Sequence, residues 1–348
     1  MNGRWRFLVP LPLLALAASL IWWRGPDWGV VRDAFTVVRW PLVALAVGLN
    51  LLSVVVRAVA WNTVIKQAIP APRPGFRLVF SAFCVGLFAN AVLPGRVGEV
   101  GRVAVLARRM PGRKGVWPTL IGSVFAHRMF DLFPTIALVV WVVFAAKLPH
   151  WALMTLFVVL GIGLSLFAFA LMSARTQHIH ALDELGRVGR LVARARTGLA
   201  VMRAPLPATT AAFFQFTGWV CQLLAVWAAM HAFRINQPLA AAGLVLVLMN
   251  VTTVFPFWPG NIGLVQAAIA VSLSQYGVAY GRGFAFGIGL QAIEASVGIG
   301  IGTLFLAREG LTYGTLKEME SEEPEQVDEA PIEEASEGAG HAGARVPG

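Results

Sequence analysis

The densest group of charged residues within apolar surroundings follows a Pro-Gly pair, in the segment Leu93-Pro94-Gly95-Arg96-Val97-Gly98-Glu99-Val100-Gly101-Arg102. Arg96, Glu99 and Arg102 are three residues apart and would share one face of a helix that begins at this break. Gly95 and Gly98 would leave backbone N–H groups open at the positive end of the helix dipole. These residues predict an anion site in which Glu99 holds the arginines in register. The alternative is a salt-bridge network that only holds the segment together.

A second break, Trp258-Pro259-Gly260-Asn261-Ile262-Gly263, repeats this pattern without a charge. Asn261 stands where the first break has Arg96, so a neutral hydrogen-bonding group lies beside another helix start. We expect Asn261 to contribute to the same anion site, the alternative being that it packs the break. For Gln266, which follows it, packing is the favoured interpretation.

Two pairs of polar residues, each three apart, lie deep within apolar runs: Arg128 with Asp131, and Gln291 with Glu294. Charges at such depth cost several kcal/mol unless they are paired or hydrated. Arg128 and Asp131 can pair with each other on one helix face. Glu294 is either protonated, paired across the bundle with Arg128 or Arg96, or exposed to a wet cavity. All four residues are predicted to line or gate an interior path.

The composition indicates which elements position these residues. Of the 348 residues, 57% are hydrophobic and only 13% are charged, and the mean hydropathy is +0.69. This excludes a water-soluble globular protein. The net charge of +10 reflects basic loops at a membrane, so no nucleic-acid partner is predicted. We find no phosphate-binding Gly-rich loop, no Cys/His metal cluster and no nucleophile elbow, which predicts no catalytic residue, metal or cofactor and disfavours an ATP-driven pump.

The apolar runs predict an all-α polytopic membrane protein with six full spans and two hairpins broken by Pro-Gly. The predicted spans are 7–23, 40–61, 116–146, 151–172, 209–232 and 284–306, and the predicted hairpins are 78–109 and 238–276. Arg57, four residues from Trp61 at the end of a span, is expected to extend to the cytoplasmic face without a functional role.

Basic residues predict the orientation. With a cytoplasmic N-terminus, the inside segments hold 15 Lys/Arg and the outside segments hold 6, in line with the positive-inside rule. Segments 40–146 and 209–306 then form inverted repeat halves within a membrane domain of residues 1–307. Residues 308–348, with 11 of the 18 acidic residues, are predicted to be a disordered cytoplasmic tail.

The sequence resembles the flippase-like integral membrane proteins related to the transmembrane region of lysylphosphatidylglycerol synthases, also called the UPF0104 family. The resemblance rests on the first Pro-Gly segment, on Arg128-x-x-Asp131 and on Pro259-Gly260-x-x-Gly263. It covers roughly residues 10–307. It implies a lipid-handling module of the cytoplasmic (inner) membrane, and no soluble aminoacyl-transfer domain accompanies it in this sequence.

We therefore expect a lipid translocase that moves an anionic phospholipid or a polyprenyl-phosphate-linked lipid. The expected partners are a membrane lipid with an anionic headgroup and a separate lipid-modifying enzyme. One alternative is a membrane glycosyl- or phosphotransferase acting on a lipid phosphate, with Glu99 or Asp131 as base. Another is a non-catalytic assembly partner that docks through its acidic tail.

Overall fold

The computed structural model describes most of the membrane domain in separate stretches. They are residues 26–69, 71–92, 98–110, 116–147, 204–254 and 261–308, with isolated positions at 154, 158, 161, 162, 165, 168 and 201. Every regular element in these stretches is an α-helix. This agrees with the predicted all-α class.

Four long helices are apolar and long enough to cross a membrane: α2 (Trp40–Ala68), α5 (Val116–Ala145), α6 (Pro205–Ala232) and α9 (Tyr280–Arg308). Each has 28 to 30 residues, and about 20 residues cover 30 Å of hydrocarbon at 1.5 Å per residue. The part of the chain that the structure describes therefore has the architecture of a polytopic membrane protein.

Two pairs of shorter helices flank the two predicted breaks. The first pair is α3 (Phe76–Val92) with α4 (Gly98–Arg108), and the second is α7 (Leu239–Val254) with α8 (Leu264–Ser274). Their lengths match closely, with 17 and 11 residues in the first pair and 16 and 11 in the second. At 11 residues, α4 and α8 are about 16 Å long and too short to span the bilayer.

Some helix bounds differ from the predictions. A short helix, α1 (Trp28–Thr36), occupies part of a predicted outside loop, and the side chain of Asp27 caps it by accepting from the Gly29 N–H at 2.8 Å. Helix α2 continues seven residues past the predicted end of its span, and α6 begins at Pro205. The predicted spans 7–23 and 151–172, apart from isolated positions, and the tail after 308 lie outside the described residues.

The long helices α2 and α6 form the most extensive helix contact, at the centre of the bundle. One apolar core lies around α3 and α4 and includes Ile65 near the C-terminal end of α2 and Leu120 near the start of α5. The other lies around α7 and α8 and includes Ala46 of α2 and Val142 of α5. The two pairs of short helices thus pack against opposite ends of the long helices.

The helix neighbours follow the same order in both halves. Helix α3 contacts α9 as α7 contacts α5, and α4 contacts α5 as α8 contacts α9. At the centre, the Ser53 hydroxyl of α2 donates to the Gly218 carbonyl of α6 at 2.8 Å, and these two residues are 165 positions apart. The two Pro-Gly breaks, at Pro94 and Pro259, are also 165 positions apart.

Candidate functional site: a charged network and a polar cavity

Arg57 lies in the interior and not at the cytoplasmic face, which corrects the sequence-based interpretation. Because α2 continues to Ala68, Arg57 is eleven residues, or about 16 Å, from the end of its helix. Its guanidinium carbon lies 5.2 Å from the ring centre of Trp219 on α6, a cation–π contact. The Nε atom is buried without a hydrogen-bond partner, and Arg57 makes no ion pair among the described residues.

Gly218 makes this position possible. A Cβ atom at Gly218 would lie 2.7 Å from Cγ of Arg57, a distance that real side chains do not tolerate. Only a glycine at this point of α6 allows the arginine stem to pass between the two central helices. The interior position of Arg57 on α2 therefore depends on the glycine at position 218 of α6.

Glu99 holds two arginines together. Its carboxylate pairs with Arg102 on its own helix and with Arg128 on α5. The Arg102 side chain is buried, with residue exposure of 3%, and its guanidinium lies 4.6 Å from the ring centre of Trp61 and 5.7 Å from that of Phe83. Arg102 is therefore enclosed by Glu99 and aromatic rings, an arrangement that corresponds to the salt-bridge alternative.

Asp131 accepts donors from two helices. The expected pairing with Arg128 is present at 3.1 Å, and the Trp219 indole N–H donates to the same carboxylate at 2.9 Å. Gln215, one turn before Trp219 on α6, also donates to it. Asp131 thus lies in the interior, and its carboxylate accepts from three donors. A carboxylate at membrane depth requires such partners.

A cavity of about 300 Å³ lies between the two pairs of short helices at the middle of the long helices. Its apolar wall includes Val54, Leu87 and Val265. The polar side chains that line it come from four helices, and they are Asn50, Ser53, Arg57, Asn90, Gln222, Gln291 and Glu294. An interior hollow with a few convergent polar groups is the usual form of a ligand site.

Glu294 lies at this cavity and not in the charged network. It forms a hydrogen bond with Gln222 of α6 and lies within electrostatic reach of Arg57. Its carboxylate makes no ion pair among the described residues. Of the three alternatives for Glu294, pairing with Arg128 is wrong, because Arg128 pairs with Glu99 and Asp131.

The predicted hairpin ligands Gly98 and Asn261 are committed to the protein itself. The N–H of Gly98 donates to the Asn90 side chain at 2.9 Å, so it is not open to a ligand as expected. A Cβ at Gly98 would collide with the Gly86 carbonyl, which places the backbones of α3 and α4 in direct contact. Asn261, 2% exposed, donates to the Thr252 carbonyl and so joins α7 to the start of α8.

Gln266 packs the second hairpin, as the sequence interpretation favoured. Its side-chain oxygen accepts from the Gly263 N–H at 2.6 Å, and its amide donates to Gln291. Gln291 in turn lines the cavity beside Glu294. The predicted ligands Gly95 and Arg96 lie outside the described residues, so their role stays a prediction.

Sequence reasoning missed Arg57, Gln215, Trp219 and Gln222. For Arg57 and Gln222, the sequence did contain a signal, which is the constant spacing between the two Pro-Gly breaks. The offset of 165 between the two Pro-Gly breaks relates Arg57 to Gln222, and these side chains line the same cavity.

Comparison with known proteins decides the family. A family model described as the lysylphosphatidylglycerol synthase TM region matches residues 12–302. The chain belongs to this family. The match covers both helix pairs, the charged network and the cavity, so the residues described above are those of the lysylphosphatidylglycerol synthase TM region.

One relative is a UPF0104 membrane protein of Pyrococcus horikoshii, which is 25% identical over 158 residues. The aligned part is 45% of this chain and 45% of that protein, so the chain spans less than half the length of the relative it matches. No solved structure matches the chain. Family membership and the long apolar helices show that the chain is an integral membrane protein, and its family is related to lipids.

Proposed function

We propose that the protein is a lipid translocase of the cytoplasmic membrane that moves a lipid with a phosphate-containing headgroup. The observation that carries the proposal is the cavity at the middle of the long helices, which lies between the two pairs of short helices and is lined by several polar side chains. A headgroup that crosses a bilayer needs such a polar site at half depth, because leaving a charge in hydrocarbon is costly.

The matching order of helices in the two halves supports an inverted repeat. Helix pairs that pack at opposite ends of the long helices can open a central site to each side of the membrane in turn. The two halves, 40–146 and 209–306, meet along α2 and α6, where Ser53 bonds to Gly218. This contact is the proposed hinge region between them.

A continuous row of polar contacts connects the surface of α5 to the cavity. Arg128 is 45% exposed beside the exposed Phe125; it bonds to Asp131, which bonds to Trp219, and Trp219 stacks on Arg57 at the cavity. We propose that the row guides a headgroup inward from the bilayer. The proposed gating role of Arg128 and Asp131 follows from it.

The family description names a phosphatidylglycerol derivative, so phosphatidylglycerol is the first lipid to test. The predicted orientation, with both termini in the cytoplasm, would place the first Pro-Gly break, with Arg96, toward the inner leaflet. A separate lipid-modifying enzyme remains the proposed partner.

The test uses the purified full chain in vesicles that contain phosphatidylglycerol with a fluorescent acyl chain. Dithionite added outside destroys label in the outer leaflet, so translocation raises the destroyed fraction from about half to nearly all. Vesicles without protein are the control. Equal protection of the label in both preparations would contradict the proposal.

A further inference from the structure

The cavity holds two opposite charges that do not meet. Arg57 and Glu294 both line it, and each lies within electrostatic reach of the other. No nitrogen–oxygen distance between them is within the 4.0 Å of an ion pair, since no such pair is formed by either residue in the described part of the chain. The two charges thus line one cavity without forming an ion pair.

Each of the two charges is only partly satisfied. The Arg57 guanidinium stacks on Trp219 and lies within electrostatic reach of Asp131, but its buried Nε has no hydrogen-bond partner among the described residues. Among the described residues, Glu294 has a neutral hydrogen-bond partner in Gln222 and no ion pair. Charged groups deep in a membrane protein require more than this, either from the protein or from a ligand.

The surrounding side chains can satisfy a polar ligand. Asn50 and Asn90 carry both donors and acceptors and line the cavity on the sides of α2 and α3. The volume of about 300 Å³ is at the lower end of ligand pockets. It suits a headgroup and not a whole lipid.

We infer that Arg57 and Glu294 form a headgroup site, in which Arg57 binds a phosphate and Glu294 accepts a hydroxyl or ammonium donor of the same headgroup. The inference rests on the proposed function and deepens it by assigning the headgroup to these two residues. Arginine fits because its planar donors match phosphate oxygens in pairs. The Trp219 ring, 5.2 Å from the guanidinium carbon, helps to hold the guanidinium in place.

Binding to the purified protein in detergent tests the site without transport. The probe is phosphatidylglycerol with a fluorescent acyl chain, followed by anisotropy, with diacylglycerol of the same chains as the probe without phosphate. Arg57→Gln should weaken phosphatidylglycerol binding by tenfold or more, and Arg57→Lys by less, because a charge remains. The matched control is Arg282→Gln, which removes an exposed arginine near the start of α9. Binding by Arg57→Gln within twofold of the unaltered protein overturns the inference.

Glu294→Gln tests the contact with the hydroxyl or ammonium end of the headgroup separately from the contact with the phosphate. It should weaken binding of phosphatidylglycerol and phosphatidylethanolamine, whose headgroups carry donors beyond the phosphate, but not that of phosphatidic acid. An equal loss for all three lipids overturns the role of Glu294. Competition by sn-glycerol 3-phosphate tells whether the free headgroup or only the lipid is bound.

A second measurement leaves both charged residues unchanged, in case the variants fail to fold. Ala295→Cys introduces a thiol at the cavity wall, and its maleimide labelling is measured against the chain with only the buried Cys84 and Cys221. Saturating phosphatidylglycerol should slow the labelling severalfold, whereas diacylglycerol should not. Equal labelling with both lipids overturns the inference. If the lipid binds but no transbilayer movement occurs, the translocase proposal fails and the site stands.

Discussion

Two carboxylates at the middle of long helices, Asp131 on α5 and Glu294 on α9, have opposite surroundings. Asp131 accepts from Arg128, Gln215 and Trp219. Glu294 bonds to Gln222 and faces a cavity. The two helices hold corresponding places in the two halves. The comparison shows that similar positions have different surroundings, since Asp131 joins α5 to α6 and Glu294 faces a cavity.

Two polar residues near these acids, on the central helices α2 and α6, are related by the same offset in residue number. Subtracting the offset of 165 from Gln215 gives Asn50, which lines the cavity together with Glu294. Gln215 donates to Asp131. By their spacing, Gln291 lies three residues before Glu294 as Arg128 lies three residues before Asp131, so residues 209–306 have a neutral amide where residues 40–146 have a charge.

The largest effect should come from removing the charge of the satisfied acid. Asp131→Asn removes the charge to which Arg128, Gln215 and Trp219 donate. Hydrogen bonds to a charged group contribute about 1.5 to 3 kcal/mol each, so we expect the free energy of unfolding to fall by about 3 kcal/mol. Glu294→Gln removes a carboxylate that has no ion pair in the described part of the chain and keeps an acceptor for Gln222, so the free energy of unfolding should fall by about 1 kcal/mol or less. Reversible unfolding in mixed detergent micelles measures both.

Equal losses in the two variants would contradict the difference between the sites. A larger loss for Glu294→Gln would mean that Glu294 is the structural acid and that the cavity is not a ligand site. Binding of phosphatidylglycerol should show the reverse order, with the greater change in Glu294→Gln.

The next effect concerns the contact between α3 and α4, the two helices of the first short pair. Gly98→Ala would place a methyl group against the Gly86 carbonyl, and overpacking of this kind costs about 2 kcal/mol. Gly101→Ala is the matched control on the same helix, because its nearest neighbour, Ala89, lies at 3.8 Å. The free energy of unfolding should fall for Gly98→Ala and stay level or rise for Gly101→Ala.

A substitution with a smaller expected effect on stability should displace the Arg57 side chain without removing it. Gly218→Ala brings a Cβ within 2.7 Å of Cγ of Arg57, so the arginine must shift, at a cost of about 1 kcal/mol in stability. We expect severalfold weaker phosphatidylglycerol binding, measured by anisotropy. Gly48→Ala on α2, with no atom within 4 Å of the added Cβ, should leave binding unchanged. Unchanged binding in Gly218→Ala would mean that the position of Arg57 is not critical.

Much of the fold could be predicted from the sequence because its signals are local. Apolar runs located all four described spans, and the Pro-Gly pairs located both short-helix pairs. The pairing of Arg128 with Asp131 followed from a spacing of three on one helix. These inferences required no knowledge of which helices pack together.

The candidate site could not be predicted to the same extent, because its contacts join distant parts of the chain. The donors Gln215 and Trp219 come from 84 and 88 residues beyond Asp131. Arg57 has the sequence context of an arginine near a helix end, since Asn62 and Lys66 follow it. Helix α2 nevertheless continues past Asn62, which is buried with 6% exposure. The polar residues Asn62 and Lys66 therefore lie within the helix and do not mark its end at Ala68.

The smallest predicted effect distinguishes how the two short inner helices are capped. Helix α4 is capped from outside, by Asn90 of α3, which accepts from Gly98 at 2.9 Å, whereas α8 is capped by its own Gln266. Asn90→Ala should therefore cost about 1 kcal/mol in unfolding free energy, while Asn90→Asp, which keeps the acceptor and adds a negative charge at a helix N-terminus, should cost less. An equal loss in both variants would contradict the capping role. In that case the amide nitrogen of Asn90 would be the group that matters, and because Asn90 lines the same cavity as Arg57, the first pair of short helices would contribute to binding as well as to structure.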